Sequence, residues 1–368
     1  MLPGGVTLSG YGGLLCLLQH HPYSTGTEIE MQVPVDDVTQ THSSRQERTG
    51  IRLPRIAVVG TGHVGSTTAY ALLISGMTAE IILIGRNRQR TEGHVHDLRD
   101  AEVFSHRTRI SAGDLGDCCS ADITIITAGV SQSGAKSRLD GMKETAAILK
   151  GLVRDVVRHN PRGILLIASN PVDVMTYSAW KWSGLPANHV IGSGTSLDTA
   201  RFRRRLAEKY SVAPGNVHAY VVGEHGDSQF PVLSSAHIAG TPLEEFCHQM
   251  GLPYDKDALG MIANETRVAG AKIVRAKGAT YYGISAALVR IVRAILRDEH
   301  SVFTVSSLVP ESLHLGAVSL SLPTILSREG IHRVLPIPLS TSEQRALETS
   351  AEALKQHISS LDGLIEAD

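Results

Sequence analysis

Five short, mainly apolar runs alternate with helix-like segments over the first half of the chain, and this alternation limits the folds open to it. The runs occupy residues 56–59, 81–84, 123–127, 164–168 and 189–192. A strand that is apolar throughout is buried on both faces, and strands that alternate with helices pair in parallel. We therefore predict an α/β fold in which a parallel sheet, closed by the run at 189–192, is covered by helices on both faces.

A glycine motif follows the first apolar run. Gly60, Gly62 and Gly65 form a Gly-x-Gly-x-x-Gly sequence between a predicted strand and a predicted helix, which is the context that gives the motif meaning. The glycines let the backbone approach a pyrophosphate at the positive end of the helix. We therefore predict a Rossmann-type, doubly wound dinucleotide-binding domain over 55–193. A mixed α+β catalytic domain over 194–368 is predicted to follow it.

The composition argues against several classes of function. The 368 residues carry a formal net charge of −1 and are 42% hydrophobic, which is typical of a globular protein and disfavours a nucleic-acid partner. Apolar runs fall short of the roughly 18 residues needed to cross a bilayer, so we expect no membrane association. The four cysteines show neither disulfide nor zinc spacing. We therefore expect no metal site and a location in the reducing cytoplasm.

The N-terminal segment differs from the rest of the chain. Its first 44 residues contain acidic side chains but no Lys or Arg, which fits neither a signal peptide nor a transit peptide. We predict a disordered extension over 1–54. A true start at Met31 is an alternative that the sequence leaves open.

The stretch around His225 carries the first candidate for catalysis. An apolar run ends just before it, and the neighbouring Gly223 and Gly226 would leave the imidazole uncrowded. Histidine changes its charge near neutral pH, which suits general acid–base catalysis. Asp198 and Arg201, three residues apart, would share one face of a helix. The Asp198 carboxylate could stabilise the charged imidazole, and Arg201 could bind a substrate carboxylate through two parallel N–H groups.

Four motifs stand in an order and at spacings that a known family shares. They are Gly60-x-Gly62-x-x-Gly65, Ser169-Asn170-Pro171-Val172-Asp173, Leu197-Asp198-Thr199-Ala200-Arg201 and Gly223-Glu224-His225-Gly226-Asp227-Ser228. From about Arg55 to the C-terminus the chain resembles the bacterial-type L-lactate dehydrogenases of the lactate/malate dehydrogenase superfamily. The resemblance implies a homotetramer that interconverts pyruvate and L-lactate with a nicotinamide cofactor.

The resemblance also implies a role for each site residue. His225 would exchange a proton with the substrate carbonyl, Asp198 would pair with His225, and Arg138 on a mobile loop would stabilise the developing alkoxide. The substrate-binding residues would be Gln132, Asn170, Arg201 and Thr280. The cofactor-binding residues would be Gly60, Gly62, Val64, Gly65, Gly85, Arg86, Ala128, Gly129, Ser169, Asn170 and Ile284. The chain departs from the family at Thr145, where an asparagine is usual seven residues after the loop arginine.

Gln132, six residues before Arg138, bears on the choice of substrate. Malate dehydrogenases carry an arginine at the matching position, whose charge meets the second carboxylate of oxaloacetate. A neutral glutamine would leave that carboxylate unpaired in a closed site, which costs roughly a hundredfold in discrimination. We therefore predict pyruvate as the substrate. The alternatives are malate or a branched-chain 2-hydroxy acid, and a non-catalytic cofactor-binding relative.

The end of the second predicted strand bears on the choice of cofactor. NAD-dependent members carry an acidic residue about twenty positions after the last glycine of the motif, and its carboxylate binds the adenosine ribose. Here that position is Gly85, followed by Arg86 and Arg88. The cofactor is therefore predicted to be NAD or NADP. Either an arginine clamps a 2′-phosphate, or both arginines point to solvent and binding of NADH is merely weakened.

Arg203 and His218 match positions through which many bacterial members of the family bind fructose 1,6-bisphosphate across a subunit interface. An arginine and a histidine from each of two subunits would form an anion site. The run Arg203-Arg204-Arg205 also fits a solvated basic face. Regulation by the bisphosphate is therefore a prediction with an open alternative.

Overall fold

The computed structural model describes residues 53–130 and 137–365. The extension predicted over 1–54 lies almost wholly outside these residues. In the part of the chain that the structure describes, no helix is long and apolar enough to cross a bilayer.

The first half of the described chain alternates strands and helices. In order these are β1 (Arg55–Val59), α1 (His63–Ser75), β2 (Glu80–Ile84), α2 (Arg88–Glu102), β3 (Arg109–Gly113), β4 (Ile123–Ile126), α3 (Arg138–His159), β5 (Ile164–Ile167), α4 (Val172–Ser183) and β6 (Val190–Gly192).

The second half begins with a charged helix and ends with a long amphipathic helix followed by a short one. Its elements are α5 (Ser196–Tyr210), β7 (Val217–His218), β8 (Val221–Val222), β9 (Phe230–Pro231), β10 (His237–Ile238), β11 (Thr241–Pro242), α6 (Leu243–Gln249), α7 (Lys256–Arg267), α8 (Ala269–Lys277), α9 (Tyr282–Leu296), β12 (Ser301–Leu308), β13 (Ser319–Ser327), β14 (Gly330–Val334), α10 (Thr341–Ser359) and α11 (Asp362–Ile365).

Nine strands form the main sheet, in the order β14-β13-β12-β6-β5-β4-β1-β2-β3. The strands from β6 to β3 pair in parallel, so the predicted doubly wound parallel sheet is confirmed. The prediction that the run at 189–192 closes the sheet is wrong. Strand β12 pairs antiparallel with β6 through Ser306 and Gly192, and β13 and β14 extend the sheet further. The proposed domain boundary near residue 193 stays a prediction.

Alternate residues of each parallel strand face opposite layers of the core. In β1, Ala57 and Val59 belong to one apolar cluster, which also contains residues of α3, α4 and α10. Ile56 and Val58 belong to the other, which contains residues of α1, α2 and α9. Because both faces of these strands are buried, their sequences show no alternation between apolar and polar residues.

Two helical segments of the second half have well-defined boundaries. Residues 256–277 form two helices, α7 and α8, with Val268 between them. Helix α10 begins with a capping box, in which the Ser340 side chain accepts from the Glu343 N–H and the Glu343 carboxylate accepts from the Ser340 N–H. The apolar side chains of α10, including Leu347 and Leu354, are buried.

Candidate active site

The predicted nucleotide-binding residues meet at the carboxyl end of the parallel strands. Gly60 follows β1, Gly85 follows β2, and Ala128 and Gly129 follow β4. Ser169 and Asn170 follow β5 in the same way. From β1 the chain continues to β2 on one side, and from β4 it continues to β5 on the other, so the strand order reverses between β1 and β4. Ligands of open α/β sheets bind in the crevice at such a point.

The glycines of the motif fit the pyrophosphate of a dinucleotide. Gly60 has a φ of +108°, and a Cβ atom there would lie 2.8 Å from the Ala128 nitrogen. A Cβ on Gly65 would lie 1.8 Å from the carbonyl oxygen of Gly60, so only glycine lets α1 pack this closely on the turn. A Cβ on Gly62 would meet nothing within 4 Å. No side chain caps α1 at Gly62, so the N–H groups of its first turn have no side-chain acceptor there and are available to an anion.

The remaining cofactor candidates lie around this crevice. Val64 is in the first turn of α1, and its carbonyl oxygen accepts a hydrogen bond of 3.2 Å from the Ser285 hydroxyl of α9. Ile284, one residue earlier, packs against the second apolar cluster. The Ser169 hydroxyl donates to the carbonyl oxygen of Ala128, which joins the ends of β5 and β4. Arg86 is exposed at the turn after β2.

His225 is held by its main chain and by its ring. Its backbone N–H donates to the Oδ2 atom of Asp173 at 2.6 Å, and its Nδ1 atom lies 2.8 Å from the Oδ2 atom of Asp198. Two residues earlier, Gly223 exchanges backbone hydrogen bonds of 3.0 Å with Ser321 of β13, which anchors the loop after β8 to the main sheet. The His225 side chain keeps 31% exposure, so its ring remains accessible.

Asp198 is shared between His225 and Arg201. Its carboxylate is 2% exposed, in the first turn of α5, and its Oδ1 atom accepts a hydrogen bond of 3.1 Å from Nη1 of Arg201. Since Asp198 takes one nitrogen of the guanidinium, the rest of the planar group can bind another anion. Asp198 therefore fixes the relative positions of a potential acid and a potential anion-binding group.

Opposing effects set the pKa of each member of the Asp198–His225 pair. Burial disfavours the charged carboxylate, but the hydrogen bond and charge of His225, together with Arg201, outweigh it and lower the pKa of Asp198. Burial likewise disfavours the imidazolium, but the hydrogen bond and charge of Asp198 outweigh it. The pKa of His225 is therefore raised above its ordinary value of 6.5. The site favours a protonated imidazole beside an ionised carboxylate.

A cavity of about 780 Å³ opens in front of these groups. Its lining includes the predicted site residues Asn170, Asp198, Arg201 and His225, and it also includes Leu139 and Met142 of α3. Thr280, in the turn between α8 and α9, is not among the described residues that line it. Gln132 lies outside the described residues, and Arg138 is the first residue of α3. No metal-binding cluster of His, Cys, Asp or Glu is found within residues 53–130 and 137–365.

Asp173 is a site residue to which the sequence assigned no role. It lies in the first turn of α4, is 1% exposed, and accepts the N–H of His225 and, at 3.4 Å, the Ser321 hydroxyl. Burial raises its pKa to about 6, although the hydrogen bonds that it accepts act to lower the pKa.

Thr145, where the family usually has asparagine, is buried on α3 and accepts a hydrogen bond of 3.3 Å from the N–H of Val130.

The two residues matched to a bisphosphate site lie apart from this cavity. Arg203 donates through Nε to the carbonyl oxygen of Ala219 at 2.8 Å, and its guanidinium lies 5.0 Å from the ring centre of Tyr220. Burial lowers the pKa of Arg203. His218 is exposed at the end of β7. Regulation by fructose 1,6-bisphosphate stays a prediction.

Sequence profiles of two domains match the chain. The NAD binding domain of lactate/malate dehydrogenases matches residues 54–192, and the alpha/beta C-terminal domain of the same enzymes matches residues 195–362. Together the two matches cover both the crevice at the ends of the parallel strands and the loop that carries His225.

Individual proteins that are similar in sequence to the chain are also lactate dehydrogenases. The chain is 44% identical over 307 residues to a probable L-lactate dehydrogenase of Schizosaccharomyces pombe, covering 83% of this chain and 93% of that protein. It is 43% identical over 310 residues to an L-lactate dehydrogenase of Acetivibrio thermocellus, covering 84% and 98%.

Solved structures show the same fold. The minor L-lactate dehydrogenase of Enterococcus mundtii, crystallised with ligands, superposes with a TM-score of 0.81 at 35% identity over 84% of this chain and 98% of that chain. A lactate dehydrogenase from a Medee basin deep-sea metagenome library gives 0.80 at 38% identity over 85% of this chain and 100% of that chain. The chain therefore belongs to the lactate/malate dehydrogenase family.

Proposed function

We propose that the protein is an L-lactate dehydrogenase that interconverts pyruvate and L-lactate with a nicotinamide dinucleotide. The observation that carries the proposal is the chain of contacts from His225 through Asp198 to Arg201 at the wall of the cavity. It sets a proton donor beside a group that can bind a carboxylate, and pyruvate requires both. The L-lactate dehydrogenases at more than 40% identity support this choice within the family.

His225 moves the proton. Its Nδ1–H donates to Asp198, so when the ring is charged its Nε2–H is free to donate to the carbonyl oxygen of the substrate. Arg201 binds the substrate carboxylate with the nitrogens that Asp198 does not use. The reduced cofactor, when bound, supplies the hydride that the carbonyl carbon accepts. In the reverse direction the neutral imidazole takes the proton of the lactate hydroxyl.

Other residues complete the site in this proposal. Gly62 and the first turn of α1 would hold the pyrophosphate of the cofactor, and Ile284 would contact its nicotinamide. Asn170, which lines the cavity, binds near the substrate carbonyl. A place for Thr280 in the substrate site stays a prediction from the family resemblance. By family resemblance, Arg138 stabilises the negative charge that develops on the carbonyl oxygen.

The Asp198→Asn variant is expected to change the pH dependence of pyruvate reduction. Reduction needs the charged imidazole, so in the wild type kcat/KM falls as the pH rises through the raised pKa of His225. Loss of the carboxylate charge lowers that pKa, so the falling limb moves to lower pH. Because a charged partner shifts a pKa by about 1–3 units, kcat/KM at neutral pH drops about 10- to 100-fold. The measurement is kcat/KM for pyruvate between pH 5 and 9.

The matched control is Asp155→Asn. Asp155 is a half-exposed carboxylate of α3 that pairs with Arg158 and lies outside the cavity lining, so its loss is expected to leave the pH profile unchanged. An unchanged falling limb in Asp198→Asn would exclude Asp198 from the control of the His225 charge.

The Gln132→Arg variant tests the choice of substrate. An arginine would give the second carboxylate of oxaloacetate the positively charged partner that it lacks in the wild type. The ratio of kcat/KM for oxaloacetate to that for pyruvate is therefore expected to rise about a hundredfold. The ratio is measured in wild type and variant under identical conditions. Ser131→Arg adds the same charge one residue away and is expected to change the ratio much less. Equal changes in the two variants would remove Gln132 from the specificity role.

A further inference from the structure

The turn after β2 holds no acidic side chain where dinucleotide-binding folds of this kind bind the adenosine ribose. A carboxylate at the end of the second strand usually accepts hydrogen bonds from both ribose hydroxyls, and it would repel a phosphate on either of them. Gly85 occupies this position, directly after Ile84, the last residue of β2. Its φ is not positive, so its backbone conformation does not require glycine.

The space that a side chain at this position would fill is taken by two threonines. A Cβ on Gly85 would lie 2.4 Å from the Oγ1 atom of Thr91 and 2.5 Å from that of Thr61. These hydroxyls are 3.3 Å apart, and Thr91 also donates to the carbonyl oxygen of Asn87 at 2.9 Å. Thr91 is 1% exposed and Thr61 is 8% exposed, so both are fixed by packing. The pair leaves no room for a carboxylate and makes this wall of the turn neutral.

The arginines that follow Gly85 differ in their partners. The Nε atom of Arg88 lies 2.7 Å from Glu92, and its Nη1 atom lies 3.9 Å from Asp114, so the charge of Arg88 is already balanced by carboxylates. Arg86 is exposed, and within residues 53–130 and 137–365 its side chain has no hydrogen bond or ion pair. Of the two arginines considered from the sequence, Arg86 is therefore the one free to bind an anion.

We infer that this turn binds an adenosine ribose that carries a 2′-phosphate, with the Arg86 guanidinium pairing with the phosphate, so that the cofactor is NADP. The inference rests on the proposed function, because it assumes that the dinucleotide lies across the ends of β1 and β2. Arginine suits a phosphate because it offers two parallel N–H donors and a permanent charge. The hydroxyls of Thr61 and Thr91 replace the carboxylate that would otherwise repel the phosphate.

The test is the dissociation constant of NADPH and of NADH, measured by calorimetry on the purified full-length protein without substrate. The wild type is expected to bind NADPH about tenfold more tightly than NADH at low salt, and the difference is expected to shrink at high salt. In Arg86→Ala the affinity for NADPH should fall about tenfold or more, with little change for NADH. Arg88→Ala is the matched control, and its effect on NADPH should be much smaller.

The outcomes separate this inference from the proposed function. Tighter binding of NADH by the wild type would overturn the inference and leave the proposed function standing. An equal loss of affinity for NADPH and NADH in Arg86→Ala would also overturn the inference. The arginine would then bind a part that the two cofactors share, such as the adenine. Binding of neither dinucleotide would overturn both.

The reverse experiment restores the carboxylate together with the space for it. Gly85→Asp alone is expected to weaken the binding of both cofactors, because the aspartate side chain would overlap Thr61 and Thr91. Gly85→Asp combined with Thr61→Ala and Thr91→Ala is expected to bind NADH more tightly than NADPH, and the two alanine substitutions without the aspartate serve as its control. Retention of the NADPH preference in the triple variant, with the fold intact by circular dichroism, would contradict the inference.

Discussion

Replacing His225 by alanine is expected to lower kcat for pyruvate reduction by about 10²- to 10⁴-fold, the range that general acid catalysis supplies. The variant loses the only proton donor that we place against the substrate carbonyl. Asp173 would still bind the main-chain N–H of residue 225, so the loop should keep its position. The glycine motif and the turn after β2 do not involve His225. The dissociation constant of the dinucleotide should therefore stay nearly unchanged.

The measurement combines steady-state kinetics with cofactor binding by calorimetry. His248→Ala is the matched control, because His248 is exposed on α6 and outside the cavity lining. That variant should behave as the wild type does. Near-normal turnover in His225→Ala would remove His225 from the role of acid and base, whatever the control gives.

Replacing Arg201 by alanine is expected to reduce kcat/KM for pyruvate about a thousandfold. The substrate carboxylate would lose its charged partner, and buried Asp198 would lose one of its two hydrogen bonds from charged groups. Loss of one partner of a hydrogen-bonded charge pair in a closed site costs roughly 2–5 kcal/mol. The Arg201→Lys variant should lose less of its kcat/KM, because it keeps the positive charge. It should still fall below the wild type, because an ammonium group cannot bind Asp198 and a substrate carboxylate through N–H groups that lie in one plane.

Initial rates over a range of pyruvate concentrations measure the effect. Arg204→Ala is a control on the same helix, since Arg204 is exposed and pairs with Glu208. A small loss in Arg201→Ala, equal to that of the control, would show that another group binds the carboxylate.

The sequence predicted the parallel part of the sheet because strands buried on both faces are apolar throughout. It missed β3, whose position at the edge of the sheet leaves Arg109 exposed and buries Ile110 as its one large apolar side chain. The antiparallel extension beyond β6 was also missed. Its pairing joins Ser306 to Gly192, which lie more than a hundred residues apart, and no local pattern encodes such a contact.

The residues of the site likewise divide into those that the sequence predicted and those that it missed. Motifs pointed to His225, Asp198 and Arg201 because each carries chemistry in a recognisable context. Asp173 stood in one of the same motifs, but its contact with the main chain of His225 depends on how α4 packs beside the loop after β8. The contact of Thr61 with Thr91 likewise joins residues thirty positions apart. Spacing along the chain identifies reactive side chains, whereas the groups that support them become visible only in three dimensions.

The most direct test of the proposed function is the rate of cofactor oxidation at 340 nm with purified protein. Pyruvate, oxaloacetate and 2-oxoisocaproate are each supplied with NADH and with NADPH. We expect the highest kcat/KM for pyruvate, exceeding that for oxaloacetate by about a hundredfold. A preference for oxaloacetate or 2-oxoisocaproate would contradict the assignment to lactate. The absence of oxidation in all six combinations would contradict catalysis itself and favour a non-catalytic cofactor-binding relative.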